Sequence, residues 1–328
     1  MLDLVKNRYL WFLLSLAIIL PGMISLVTNG LELGIDFTGG TLWEIEVQEG
    51  TSSTEIQSVV EAHGFSGARV QESDDNQMLI RMEEMQQGSP EKAELDAALE
   101  AQIGSFTELQ LQSVGPTLGT EIRNRAGIAI LLASIGVLLY IAYAFRKTQN
   151  AFLYGSCAII AMLHDVALVV GIFSILGWIA HVEVDALFVT AVLTIIGFSV
   201  HDTIVVFDRV RENLVMREGD RFEDIVNYSI VQTIPRSINT SITTLFTLMA
   251  LYLFGGETIQ YFVLALIIGI IAGTYSSIFN AAQILVVWEN REIHSFFGRF
   301  FGQREPDYDE LDEEDFEERP EEREAPAR

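Results

Sequence analysis

The chain has 328 residues, half of them hydrophobic, and a formal net charge of −25. A chain this acidic gives no reason to expect nucleic-acid binding, and its mean hydropathy of +0.32 is too high for an ordinary soluble domain. The single cysteine, Cys157, lies in an apolar stretch and leaves no intramolecular disulfide framework. The charge is local: residues 30–122 hold 18 acidic and 3 basic residues, and the tail 303–328 holds 13 acidic and 4 basic. What remains is nearly neutral and strongly apolar.

A bilayer core of ~30 Å needs ~20 consecutive apolar residues in a helix. Six stretches qualify, at about 10–28, 126–145, 151–176, 186–207, 237–254 and 259–288. The fold class expected is therefore a polytopic α-helical membrane protein with six transmembrane helices. The first apolar run is longer than the ~7–15 residues of a signal-peptide core and is followed by no A-x-A-like cleavage site, so it is expected to be retained. A kink or loosened turn is expected at Pro21-Gly22.

Lys and Arg in the short connections set the orientation. Lys6 and Arg8, then Arg146 and Lys147, then Arg209, Arg211, Arg217, Arg221 and Arg236 mark the cytoplasmic side. The connections 177–185 and 255–258 contain neither residue type. Both termini are thus expected in the cytoplasm and residues 30–122 outside. Arg123 and Arg125, outside before the second span, are a mild exception. The domains expected are 1–29, the N-terminus and first span; 30–122, an inserted extracytoplasmic domain; 123–290, five spans with a cytoplasmic loop at 208–236; and 291–328, an acidic tail whose composition predicts disorder.

Within 30–122, residues 41–48 alternate apolar and polar as a half-buried strand does. The run Thr51–Thr54 offers caps for a helix from Glu55 to His63, stopped by Gly64. Strands follow at 68–73 and 77–82, with a turn at Asp74-Asp75-Asn76. Ser89-Pro90-Glu91 opens a second helix to about Gln102, and 105–114 alternates again. The order β-α-β-β-α-β fits an α+β ferredoxin-like split βαβ unit. Its acidity is that of a solvated surface or of a docking face, and it carries no pattern for a metal or catalytic site.

Ionisable side chains at bilayer depth are expensive, which makes each a candidate functional residue. His164-Asp165 lies roughly 20 Å into the third span at ~1.5 Å per residue. His201-Asp202 lies toward the cytoplasmic end of the fourth. Arg236 opens the fifth span after Pro235, followed by Asn239 and a run of hydroxyl residues. The fourth and fifth spans run antiparallel, so Asp202 and Arg236 sit at similar depth and are candidates for an intramembrane pair. A low dielectric favours a neutral carboxyl and a nearby guanidinium favours the ionised form, so a moving Arg can switch proton affinity. The other reading of these residues is a structural salt bridge or hydrogen-bonded packing. His164, His201 and Asn239 are accessory polar candidates. Gly269, Gly273 and Ser277, at four-residue spacing in the sixth span, form a small-residue packing stripe. No Ser-His-Asp, phosphate-loop or zinc pattern is present, so no enzyme is expected and no catalytic or metal site is assigned.

GIDFTGGT (Gly34–Thr41), LHD (Leu163–Asp165), HDTIVVFDRVREN (His201–Asn213), PRSINTSITT (Pro235–Thr244), LFGGETIQYF (Leu253–Phe262) and GTYSSIFNA (Gly273–Ala281) occur in order along the chain. Together they resemble the SecF family of the SecDF protein-export accessory complex, within the RND superfamily. Gly34, Asp36, Gly39 and Gly40 belong to the motif that follows the first span. The resemblance implies an RND-type half-bundle completed by SecD, in a bacterial or archaeal plasma (inner) membrane. It implies that a proton gradient, with no cofactor, promotes preprotein translocation through SecYEG after SecA has acted, with YajC and YidC as further partners. It implies proton coupling at Asp202 and Arg236, and more weakly at Asp165. An RND-type small-molecule or lipid exporter subunit, or a non-transporting assembly scaffold, stands as the alternative.

Overall fold

The computed structural model describes residues 3–72, 76–146 and 151–290. The Asp74-Asp75 part of the expected turn, Lys147 and the tail from 291 lie outside those residues. The chain opens with helix α1 (Arg8–Thr28), which continues through Pro21, and a short helix α2 (Ile35–Thr38). Strand β1 (Gly40–Glu46), helix α3 (Ser53–Ala62), strands β2 (Arg69–Glu72) and β3 (Gln77–Met82), helix α4 (Pro90–Ile103) and strand β4 (Thr107–Val114) follow. Helices α5 (Pro116–Ala144), α6 (Ala151–Ala180), α7 (Ala186–Met216), α8 (Phe222–Phe254) and α9 (Glu257–Ser276) come next, and a π-turn (Ser277–Ala281) joins α9 to α10 (Ala282–Glu289).

The chain order of strands and helices between 40 and 114 is the one the sequence predicts. The sheet is antiparallel throughout, in the order β2-β3-β1-β4. Alternation puts Trp43 and Ile45 of β1 and Met78 and Ile80 of β3 on one face, against Ile56 and Val60 of α3 and Leu95 and Leu99 of α4. Local capping sets the helices: the Ser52 hydroxyl accepts from the Thr54 amide, and that of Ser89 from the Lys92 amide. Lys92 is buried over the Trp43 ring, with its ammonium 2.8 Å from Asp96 and 2.7 Å from Glu108.

Among the described residues, six helices are long and apolar enough to cross a membrane, the last comprising α9, the π-turn and α10. They form a multi-pass membrane bundle. In it α7 and α9 pack along one another with α6 beside them, while α5 and α8 bury little of their surface. The helices outrun the expected spans. What reads as a loop over 208–236 is helix on both sides of a short connection at 217–221. Arg236 therefore does not open a helix; it lies inside the 33-residue α8, whose first turns are polar. Polar helix carries no apolar signal, so a hydropathy argument stops where the bilayer would.

At one crossing the backbones touch. A Cβ added to Gly22 of α1 would lie 2.8 Å from the Gly171 Cα of α6, and Ser25 and Ser174 bond 3.0 Å apart one turn further on. The sheet domain is tied to the bundle by three sets of contacts. Leu33 pairs with Val184 in a parallel bridge, closed by Gly34 N–H to Val184 O at 2.9 Å and Val184 N–H to Glu32 O at 2.7 Å. Arg81 of β3 meets Glu183 in the α6–α7 connection at 2.6 Å, and Arg69 meets Glu32 at 2.6 Å. Gly39 and Gly40, at φ of 77° and 122°, hold a backbone path that L side chains resist. There Gly39 lies so close to Pro116 that an added Cβ would be 2.7 Å from its Cα.

Two outcomes follow from this packing. Gly171→Ala should lower the melting temperature of the detergent-solubilised protein by overpacking the α1–α6 crossing, at about 1–3 kcal/mol. Gly136→Ala in α5, where an added Cβ meets nothing within 4 Å, should be neutral or stabilising. A matching loss in both variants would contradict the contact. Burial holds the Glu183 carboxyl above the ordinary value of 4.5, against the opposing pull of Arg81. The folded protein then binds this proton more tightly than the unfolded chain does. Glu183's contribution to stability is complete below 4.5 and is lost as pH rises through its raised folded value. Glu183→Gln should flatten that limb of a melting-temperature profile measured from about pH 4 to about pH 8; an unchanged slope would refute the assignment.

Candidate functional site

The candidate residues fall at two buried centres and one outer clamp. The clamp is the Gly34–Gly40 segment. Asp36 Oδ2 accepts the Ala186 amide at 2.9 Å, while Asp185 accepts the Phe188 amide at 2.8 Å, so two carboxylates serve the start of α7. Negative charge at a helix N-terminus is favourable, and it fixes α2 to α7. Asp36 thus sits where the sheet domain, α5 and α7 meet.

Asp202 on α7 is 2% exposed, and its Oδ2 is buried without a hydrogen-bond partner. His201 precedes it on the same helix, and Arg236 lies on the neighbouring α8. Among the described residues no ion pair or hydrogen bond joins Asp202 to Arg236. The chain brings the two candidates to neighbouring helices, α7 and α8. Arg236 and Asn239 are exposed on α8, and His201 is exposed on α7. Thr240, Thr243, Thr244 and Thr247 each donate to the backbone carbonyl four residues earlier, so their hydroxyls are satisfied within α8. Ser237 Oγ and both side-chain amide atoms of Gln283 are buried without partners as well. These orphan atoms sit on α7, α8 and α10, which pack on one another. Buried polar groups are normally bonded, so three such residues on adjoining helices mark a polar interior.

Asp165 on α6 is the opposite case. It is fully buried, and both oxygens are engaged. Oδ1 lies 3.0 Å from His164 Nδ1, and Oδ2 accepts from Ser199 at 2.6 Å and Ser276 at 2.7 Å. The packing stripe makes this possible. Gly269 faces Ile195, Gly273 faces Ser199, and Ser277 bonds Thr203 at 3.0 Å, so α7 and α9 run parallel with matched four-residue steps. A Cβ on Gly273 would stand 3.3 Å from the Ser199 Cα and 3.6 Å from Asp165 Oδ2. Glycine there lets α9 approach closely enough for Ser276 to reach the carboxylate.

Sequence reasoning missed the residues that complete this centre. His164 Nε2 lies 3.0 Å from the Asn280 side-chain amide, which also donates to Ser15 Oγ at 2.8 Å. Ser15 is 3.3 Å from the Tyr275 hydroxyl, which donates to Trp11 O at 2.8 Å. A serine in an apolar helix gives no signal of a partner 265 residues away.

The matched families agree with this architecture. A model described as Protein export membrane protein SecD/SecF, C-terminal, matches residues 94–291, and a SecD/SecF GG Motif model matches residues 24–50. The second match contains Gly34, Asp36, Gly39 and Gly40. The protein translocase subunit SecF of Thermobaculum terrenum is 55% identical over 317 residues, 94% of this chain and 99% of that one. The SecF of Anaerolinea thermophila is 44% identical over 303 residues, 91% of this chain and 98% of that one. Among solved structures, SecDF from Thermus thermophilus, described as a translocon-associated membrane protein, superposes with a TM-score of 0.78 at 31% identity. That match covers 88% of this chain and 39% of the solved one. Extensive identity with complete SecF chains and the shared bundle lead to one conclusion: the chain belongs to the SecD/SecF family of protein export membrane proteins, as a member of its SecF branch.

Proposed function

We propose that this chain is one half of a proton-driven export machine, completed in the membrane by a SecD subunit. The observation that carries the proposal is Asp202: a carboxylate buried in the bundle, with one oxygen unpartnered, beside an Arg236 that faces outward. An unpaired buried carboxylate is costly, and bringing a guanidinium to it or removing one changes its proton affinity. Such a group is suited to couple proton passage to a change in helix packing. The exposed Arg236 and Asn239 on a little-buried helix suit a polar partner surface, because polar groups are expensive against lipid. The solved SecDF chain extends well beyond the 39% matched by this chain, which leaves room there for a second half.

In this reading residues 30–122 form an extracytoplasmic domain, and both termini are cytoplasmic. The positive-inside distribution supports that orientation, and the antiparallel order β2-β3-β1-β4 supports a ferredoxin-like class for the domain. The clamp through Asp36, Gly39 and Gly40 transmits rearrangement of α7 to the sheet domain, which acts on preproteins emerging from SecYEG after SecA. Asp165 takes part as a second buried carboxylate.

Replacing Asp202 with Asn in the complete complex tests this. Co-purification with the partner should be unchanged, while export into proteoliposomes should fall to the level seen without a proton gradient. Gradient-dependent export at the wild-type rate would sink the coupling role. Loss of assembly would instead make Asp202 a structural residue.

A further inference from the structure

A narrow neck joins the sheet domain to the membrane bundle. Trp43, Ile45, Ile56 and Leu95 belong to one apolar core, and Phe37 of α2 belongs with the membrane helices to another. The strands, α3 and α4 pack on one another and, through β1 and β4, on α2. The chain enters the sheet domain at Gly39-Gly40 and leaves it at Gly115. Bodies with separate cores and glycine at both crossings are free to move relative to one another unless other contacts hold them. Among the described residues, two ion pairs cross the neck; the Leu33–Val184 bridge lies on its bundle side. Arg81 Nε of β3 lies 2.6 Å from Glu183 Oε1, each side chain 19% exposed. Arg69 of β2 meets Glu32 at 2.6 Å but is 67% exposed, so this pair adds little. Glu183 is wedged in place: a Cβ on Gly34 would stand 3.3 Å from its Oε2. Arg81 Nε is buried and makes no hydrogen bond of good geometry, so the pair recovers only part of the hydration both groups give up.

We infer that the sheet domain is a hinged body and that Glu183 is its latch, docked when the compartment that bathes it is acidic and released as the pH there rises. The charged groups around Glu183 are Arg81 from β3, Arg69 from β2 and Glu32 from the α1–α2 connection. His181 and Asp185 lie two residues to either side of it in its own connection. Asp185 and Asp36 are engaged at the first turn of α7. Burial holds the Glu183 carboxyl above its ordinary value; Glu32 adds to the rise, and Arg81 and Arg69 oppose it. Swinging the domain away from the neck returns Glu183 to water and its proton affinity to that of an exposed carboxyl. The docked state therefore binds the proton more tightly, so acid favours docking and alkali favours release. Between the two proton affinities the docking ratio falls by up to about tenfold per pH unit. The pivots are Gly39-Gly40 and Gly115, while α2 stays on the bundle through Asp36 and the Ala186 amide. The latch goes beyond the coupling role proposed for Asp202 and shares no residue with it.

Pulsed electron–electron double resonance on the complete complex in detergent tests the latch. Nitroxides are placed by Glu94→Cys on α4 and Thr258→Cys at the start of α9, both exposed positions, with the buried Cys157 left as it is. A single distance should be found at about pH 4.5, and a second should gain population as the pH is raised to about 8. Glu183→Gln, neutral at every pH, should keep the single distance across that range. Arg81→Gln leaves the buried carboxylate unmatched, so it should enlarge the second population in alkali and still close in acid. One unchanged distance in the wild-type complex would overturn the inference, and so would a pH response that survives Glu183→Gln. Should Glu183→Gln fail to assemble, Arg81→Gln decides: no gain over wild type in alkali overturns the latch. No gradient acts in detergent. A complex that switches there but shows no gradient-driven export would therefore overturn the coupling role of Asp202 and leave the latch standing.

Discussion

The bundle depends on one close approach, that of α9 to α7 along Gly269, Gly273 and Ser277. A carboxyl group in an apolar interior is tolerable only when polar partners surround it, and partners on neighbouring helices arrive only if the backbones come close. Gly273 supplies that closeness beside Ser199, and Ser276 on the next turn completes the shell around Asp165. The same stripe carries Ser277 to Thr203, the residue next to Asp202 in α7. Asp165 is thus enclosed by hydroxyls from this seam, whereas Asp202 on α7 keeps an orphan oxygen.

The Gly34–Gly40 clamp joins α7 of this seam to the sheet domain. The first turn of α7 is held by Asp36 and Asp185, and Asp36 belongs to the short helix that leads into β1. Through Asp36 the first turn of α7 is thereby linked to β1, an inner strand of the sheet. Arg81 and Glu183 add a second tether, between β3 and the α6–α7 connection. Its glutamate lies mostly out of water, so the tether fixes position more than it adds stability.

Much of this was legible in the sequence. Six apolar runs placed the spans, two-residue alternation placed β1 and β4, and Ser89-Pro90 placed the start of α4. Spacing alone exposed the Gly269-Gly273-Ser277 stripe. Local signals failed where structure is polar or assembled from afar. The helical extensions to Met216 and from Phe222 are amphipathic and carry no membrane signature. α2 is four residues long, too short for any periodicity to register. Ser15 and Asn280 gave no warning of one another, since nothing in an isolated hydroxyl or amide names its partner. Equal depth on antiparallel helices made Asp202 and Arg236 candidates for a pair. Depth fixes only one coordinate; the rotation of α8 turns Arg236 outward.

That rotation is the central claim of the account: the polar edge of α8 is completed by another chain. Photo-crosslinking from a benzophenone amino acid placed at Asn239, in membranes containing the full complex, measures it most directly. The account predicts a covalent adduct with the SecD-type partner from position 239, and none from Leu131 on the exposed apolar face of α5. Adducts with lipid alone at position 239, in a complex that still co-purifies with its partner, would contradict it.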